Sequence, residues 1–409
     1  MKTPRGLRCH IGLFGRRNAG KSSLLNALVK QDVSIVSEIA GTTTDPVEKP
    51  VELLPIGSVQ FIDTAGVDDT GALGQLRIEK TLKTLDRTDL GIIVVPAGEW
   101  TEFEESLLTA FCERKTPVVV AFNKSDTRQP DDILKTRLAD LKIPALLTTA
   151  TTGGGVSDLR QAIIRTAPDA FLGEPALVSD LVPPGGLAVL VIPIDKEAPK
   201  GRLILPQVQT LRDLLDNDSC ALVVKERELR DALAGLNRKP SIVITDSQAF
   251  LKVAADTPDS VPMTSFSILF ARYKGELSTF VLGAMAIEKL KPGARVLIAE
   301  SCSHHAIADD IGRVKIPRWL RQFVGGDLDC TVYAGHDFPA DLASYSLVVH
   351  CGACMTNRRE VLRRMELCRS AGVPITNYGI AIAYSLGIFE RALRPFPHAL
   401  DVYKNALRK

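Results

Sequence analysis

The chain has 409 residues, with 50 Lys and Arg against 48 Asp and Glu and a formal net charge of +2. That length exceeds a single hydrophobic core and predicts two or three domains, while the flat charge balance gives no electrostatic case for nucleic acid or an anionic membrane. No stretch reaches the ~20 apolar residues that span a bilayer and residues 1–10 do not read as a signal peptide, so the expected location is the cytosol. There, eight cysteines read as metal ligands, redox thiols or packed small side chains rather than disulfides.

Residues 9–14 read as a short buried strand. The following Gly15-Arg16-Arg17-Asn18-Ala19-Gly20-Lys21-Ser22 fits G-x-x-x-x-G-K-[ST], and residues 23–29 continue as an apolar helical pattern. Strand, glycine loop and helix together are what a phosphate-binding loop requires. Gly15, Asn18, Ala19, Gly20 and Ser23 line the loop, whose backbone N–H groups and helix dipole suit phosphate oxygens. Lys21 carries charge to the β- and γ-phosphates, and Ser22 offers a hydroxyl to Mg²⁺. Asp63-Thr64-Ala65-Gly66 follows a strand at 59–62; Asp63 would hold Mg²⁺ through water, and the Gly66 N–H would sense the γ-phosphate.

Asn123-Lys124-Ser125-Asp126 follows a strand at 117–122. Asp126 can accept two hydrogen bonds from guanine that adenine cannot donate, which selects GTP over ATP. Thr149 and Ala150, after a strand at 145–147, fit the last base-contacting loop. A helix is expected over 156–166, and Pro168, Gly173 and Pro175 then break the chain, giving a GTP-binding domain over 1–172.

Gly41-Thr42-Thr43-Thr44-Asp45 occupies the first switch loop and resembles the TrmE-Era-Der group of GTPases, whose loop reads G-T-T-R-D; here Thr44 replaces the Arg. The resemblance implies that Thr43 contacts Mg²⁺. Lys21, Thr43 and Gly66 are therefore the residues expected to carry catalysis. Val67 cannot orient the attacking water as a glutamine would. Asn18 matches the asparagine that holds K⁺ in the potassium-activated members, which implies K⁺-stimulated hydrolysis.

Residues 173–264 alternate strands (187–192, 221–224, 241–245) with helices (206–215, 226–236, 248–255), as expected of a small α/β domain. Cys220 is its one cysteine, histidine is absent, and Asp195, Asp213 and Asp246 read as capping or solvated residues. A domain without a site suggests assembly, here a homodimer.

Residues 265–409 show apolar strands at 295–299, 346–349 and 373–376, with a helix over 358–371. Each strand runs into polar or ligand-type residues: Glu300-Ser301-Cys302-Ser303-His304-His305, His350-Cys351-Gly352-Ala353-Cys354 and Asn377-Tyr378-Gly379. In open α/β sheets ligands gather at the carboxyl ends of strands, so Cys302, Cys351 and Cys354 should converge, with His304 or His350 as possible further ligands. Three thiolates suit an iron–sulfur cluster with one open iron, or with a histidine a Cys₃His zinc site. Cys9, Cys112, Cys220, Cys330 and Cys368 read as packed small side chains, and His336 and His398 as surface or structural histidines.

A GTPase of this type, then a middle α/β domain, then Cys302-x-His304 and a distant His350-Cys351-x-x-Cys354 resembles the FeFe-hydrogenase maturation GTPases over essentially the whole chain. The resemblance implies a P-loop GTPase domain, an α/β dimerisation domain and a C-terminal parallel-sheet α/β domain whose three cysteines hold a 4Fe–4S cluster with an exchangeable fourth iron site. It also implies a scaffold that receives a di-iron precursor made with two radical-SAM maturases and passes it to apo-hydrogenase. Two other readings share the first domain: an RNA-directed GTPase of tRNA modification or ribosome assembly, and a zinc-stabilised regulatory GTPase. The first should carry a basic RNA-binding module, which is not evident after residue 176.

Overall fold

The structure, a computed structural model, describes residues 3–30, 47–64, 81, 83–168, 176–194, 203–301 and 310–408. It divides into two compact units, Met1–Glu174 and Pro175–Lys409. Among the described residues no helix is long and apolar enough to cross a membrane.

The first unit is built on a six-stranded sheet ordered β2-β3-β1-β4-β5-β6. Strands β1 (Cys9–Phe14), β4 (Leu90–Pro96) and β5 (Val118–Asn123) are apolar and buried nearly throughout, as parallel strands covered on both faces must be. The antiparallel β2 (Val47–Leu53) pairs with β3 (Gly57–Asp63) at one edge, and β6 (Ala145–Leu147) closes the other. Charged Glu48, Lys49 and Glu52 mark β2 as an edge strand. The helices are α1 (Lys21–Lys30), α2 (Glu102–Glu113), α3 (Asp132–Asp140) and α4 (Val156–Thr166). Leu13 pairs with Asp63, Pro96 with Asn123 and Phe122 with Leu147. The phosphate loop, Asp63 and Asn123 therefore emerge along one carboxyl edge of the sheet.

The second unit carries two four-stranded parallel sheets. One is ordered β10-β9-β7-β8, from β7 (Leu187–Val191), β8 (Cys220–Val224), β9 (Ile242–Thr245) and β10 (Met263–Ser265). The other is β12-β11-β13-β14, from β11 (Arg295–Ala299), β12 (Asp329–Tyr333), β13 (Leu347–His350) and β14 (Ile375–Asn377). Helices α5 (Leu205–Asp216), α6 (Leu229–Ala234) and α7 (Phe250–Asp256) belong with the first sheet; α8 (Phe266–Lys274), α9 (Leu277–Met285), α10 (Ile316–Val324), α11 (Arg358–Ser370) and α12 (Tyr378–Ser385) follow. The chain ends in α13 (Phe389–Leu393) and α14 (Pro397–Leu407). One continuous apolar core runs from Leu177 to Ala399 through both sheets. No solvent-exposed linker separates β10 from α8, because Ser265 ends the strand and also caps the helix through the Ile268 N–H. A Cβ on Gly283 of α9 would collide with the Ile375 carbonyl, so glycine there lets the helix lie directly on β14.

Two cysteines depart from expectation. Cys112 and Cys220 are exposed, whereas Cys9 and Cys368 are buried. Helix α2 buries Leu107, Leu108 and Phe111, and one residue further is a ~100° turn away from that face. Cys220 begins an edge strand, where one side has no neighbour.

Candidate nucleotide and metal sites

The loop after β1 needs unusual backbone angles. Gly15 (φ 150°), Asn18 (φ 60°) and Gly20 (φ 90°) all have positive φ. A Cβ at Gly20 would strike the Asn123 amide. Lys21 is buried, and its ammonium donates to the carbonyls of Gly15 and Arg16, both at 2.8 Å. Ser22 Oγ lies 2.5 Å from Asp63 Oδ2, so the two groups expected on Mg²⁺ already face each other. Burial, the largest influence, pushes the Asp63 carboxyl up, against the Ser22 hydrogen bond, and its buried Oδ1 has no hydrogen-bond partner among the described residues. A carboxylate so placed fits a divalent cation, which supplies the missing charge.

Asn123 joins this loop to the base-contacting loops. Its Nδ2 donates to the Ala19 carbonyl at 2.9 Å, and its Oδ1 accepts from the Ala150 N–H at 3.2 Å. Ser125 Oγ meets the Thr148 carbonyl and Thr149 Oγ1, each at 3.1 Å. Lys124 takes positive φ, and Asp126 stands exposed at the loop. Ser23 and Asn18 are exposed on the same segment. Thr43 and Gly66 lie outside the described residues. Sequence reasoning passed over Arg16, a variable position of the motif. Its Nε donates at 2.9 Å to the fully buried Glu104, which also closes the capping box of α2. The signal was the Thr101-x-x-Glu104 spacing, which fixes a helix start where a buried carboxylate can receive the loop.

The second site lies where β11, β13 and β14 end side by side, with Ala299 opposite His350 and His350 opposite Asn377. The Cys351 N–H continues the ladder to the Ala299 carbonyl at 2.9 Å. Cys351 Sγ then receives two backbone N–H groups, Ser301 at 3.1 Å and Ala353 at 3.4 Å. Ala353 adopts φ 55°, which turns its N–H toward the sulfur. Cys354 is pushed up to about 11, mostly by burial and next by the neighbouring Cys351, against the opposing charge of Lys274. A buried thiol of this kind becomes a thiolate when a metal displaces its proton. Lys274 is 2% exposed and donates to the Thr356 carbonyl at 2.9 Å.

Cys302, His304 and His305 lie outside the described residues; Ser301, which touches the Cys351 sulfur, immediately precedes Cys302. Among the described residues no group of three or more His, Cys, Asp or Glu forms a metal-holding set. His350 is buried and held down to about 4, first by desolvation and then by Arg364. Sequence reasoning passed over Arg364, Glu360 and Lys274, all buried at this site; a charge inside an otherwise amphipathic helix carries no distinguishing spacing.

Residues 10–124 match the model of the 50S ribosome-binding GTPase family, residues 177–275 the hydrogen maturase F dimerization domain, and residues 278–395 the hydrogen maturase F tetramerization domain. Curated relatives include a GTPase Der of Campylobacter hominis, 33% identical over 153 residues (35% of this chain, 33% of that protein). Another is a tRNA modification GTPase MnmE of Heliobacterium modesticaldum, 36% identical over 159 residues (37% of this chain, 33% of that protein). The chain thus spans about a third of the length of these relatives. Among solved structures, the G domain of the T. maritima FeoB iron transporter is 24% identical, with a TM-score of 0.31, covering 39% of this chain and 98% of that one. A P-loop GTPase domain followed in order by both hydrogen maturase F domains places this chain in the hydrogen maturase F family.

Proposed function

We propose that the chain is a GTP-hydrolysing scaffold of FeFe-hydrogenase maturation, divided into a GTP-binding domain (1–172), a dimerisation domain (173–264) and an iron–sulfur domain (265–409). In the first, Lys21 and the loop N–H groups neutralise the phosphates, Ser22 and Asp63 hold Mg²⁺, and Asn123, Lys124, Asp126, Thr149 and Ala150 select guanine. Thr43 and Gly66 read the γ-phosphate, and Asn18 holds a K⁺ that replaces an arginine finger. Equal hydrolysis rates in KCl and NaCl would remove the K⁺ role.

In the last domain Cys302, Cys351 and Cys354 hold a 4Fe–4S cluster. Bound there, the cluster supplies an iron with one exchangeable coordination position. The cargo is a di-iron precursor, received with the help of radical-SAM maturases and passed to apo-hydrogenase by the homodimer in the cytosol. GTP binding and hydrolysis gate these contacts through the switch loops.

The observation that carries this reading is the Cys351 sulfur receiving the N–H of Ser301, one residue before Cys302, within a chain that matches both hydrogen maturase F domains. The relatives named for tRNA modification match only 37% of this chain, so they favour no RNA role for the chain as a whole. Loaded protein, mixed anaerobically with hydrogenase lacking its di-iron unit, should switch on hydrogen evolution, and Cys302→Ala protein should not. No activation beside a competent control would remove the carrier role.

A further inference from the structure

His350 stands directly before Cys351 and is 1% exposed. Both ring nitrogens are engaged: Nε2 lies 3.1 Å from Nη1 of Arg364, and Nδ1 lies 2.8 Å from the Cys351 carbonyl oxygen. A guanidinium offers only N–H donors and keeps its charge. Nε2 must therefore accept, which leaves the proton on Nδ1, donating to the Cys351 carbonyl. That carbonyl also accepts from Asn377 Nδ2 at 3.2 Å.

Arg364 is itself fixed. It is 3% exposed, and its Nη2 donates to Glu360 Oε1 at 2.8 Å and to the Gly335 carbonyl at 2.6 Å. Its guanidinium lies over the Phe338 ring, 5.3 Å from the centroid. The other Glu360 oxygen meets His336 Nδ1 at 2.9 Å. A chain of contacts thus runs from exposed His336 through Glu360, Arg364 and His350 to the backbone of a cysteine.

We propose that His350 and Arg364 are positioning residues of the cysteine centre and that His350 is not an iron ligand. Arg364 locks the Nδ1–H tautomer, and that N–H clamps the Cys351 carbonyl. The clamp fixes the turn in which the Cys351 sulfur faces the Ser301 and Ala353 amides. Ligation through Nε2 would strip a buried guanidinium of one partner, which is costly; ligation through Nδ1 would release the carbonyl. Oriented supporting groups of this kind are a general feature of metal centres. The functional consequence rests on reading Cys351 as a cluster ligand; the tautomer does not.

The test therefore has two arms. In metal-free protein labelled with ¹⁵N-histidine, NMR should show His350, identified by its loss in His350→Asn, as the Nδ1–H tautomer at neutral pH. An Nε2–H tautomer or an imidazolium would overturn the proposal whatever the iron content. In the second arm, anaerobically reconstituted variants are compared after circular dichroism confirms folding. His350→Asn places an amide where Nδ1 stood, so it should keep iron loading within about twofold and an unchanged pulsed-EPR spectrum. His350→Ala and Arg364→Met should bind iron roughly 10- to 100-fold more weakly. A strong imidazole-nitrogen coupling that vanishes in His350→Asn, or full loading in Arg364→Met, overturns the proposal. Wild-type protein that forms no iron–sulfur cluster sinks the cluster reading and the positioning role with it, while the NMR arm still decides the tautomer.

Discussion

The loop after β1 and the turn after β13 both follow the carboxyl end of a buried parallel strand, yet different forces hold them. The first is made by consecutive residues: positive-φ positions at Gly15, Asn18 and Gly20, then a helix that aims its amides inward. The second is assembled from β11, β13, β14, α8 and α11, and its shape depends on buried side chains: Asn377 at the end of β14, and Arg364, Glu360 and Lys274, which lie in no motif. A local site tolerates change around it; an assembled one inherits the stability of everything that packs behind it.

The largest effect separates the two sites. Lys21→Ala should lower GTP turnover roughly 100- to 1000-fold, the range for losing a preorganised charge at a transition state, while iron per chain stays unchanged. Loss of iron in that variant would contradict the independence of the sites. Next come two asparagines with similar partners. Asn123→Ala and Asn377→Ala each strand buried backbone groups and should each cost about 1–3 kcal/mol by denaturant unfolding. The first should weaken guanine-nucleotide binding and spare iron loading; the second should do the reverse. Gly283→Ala, which drives α9 away from β14, should cost about 1–3 kcal/mol through overpacking, read as a lower Tm with nucleotide affinity retained.

A further effect is on pH. His10 is held down to about 3 and His350 to about 4, chiefly by burial in each case. Unfolded imidazoles take a proton near 6.5 and the folded ones do not, so the unfolded state binds more protons between those values. Stability should therefore fall as pH drops from about 6.5 towards 4, seen as a lower denaturant midpoint at pH 5 than at pH 7. A midpoint that rises on acidification would contradict the neutral assignment of both rings.

The ease of reading followed the same division. Buried parallel strands announce themselves as apolar runs, and β1, β7 and β11 lie where residues 9–14, 187–192 and 295–299 point. The phosphate-loop motif was legible because its residues are adjacent at fixed spacing, and Ser22 does face Asp63. At the cysteine centre the polar residues at the strand ends could be read, Asn377 among them, but not the charges packed behind them. Arg364 lies 14 residues after His350 on a helix with seven charged positions among its thirteen, and spacing does not distinguish a buried guanidinium from a solvated one. The exposure of Cys220 was hidden for a related reason: an apolar strand reads alike at the centre and at the edge of a sheet, and only the pairing order tells them apart.

The most direct test is EPR spectroscopy of dithionite-reduced, anaerobically reconstituted protein, with iron and sulfide assayed on the same samples. Wild-type and Lys21→Ala protein should each show the signal of a reduced 4Fe–4S cluster with about four irons per chain, the composition of one such cluster, and Cys302→Ala, Cys351→Ala and Cys354→Ala should lose it. A colourless wild-type protein that takes up zinc in place of iron, or a cluster that survives all three cysteine substitutions, would contradict the account.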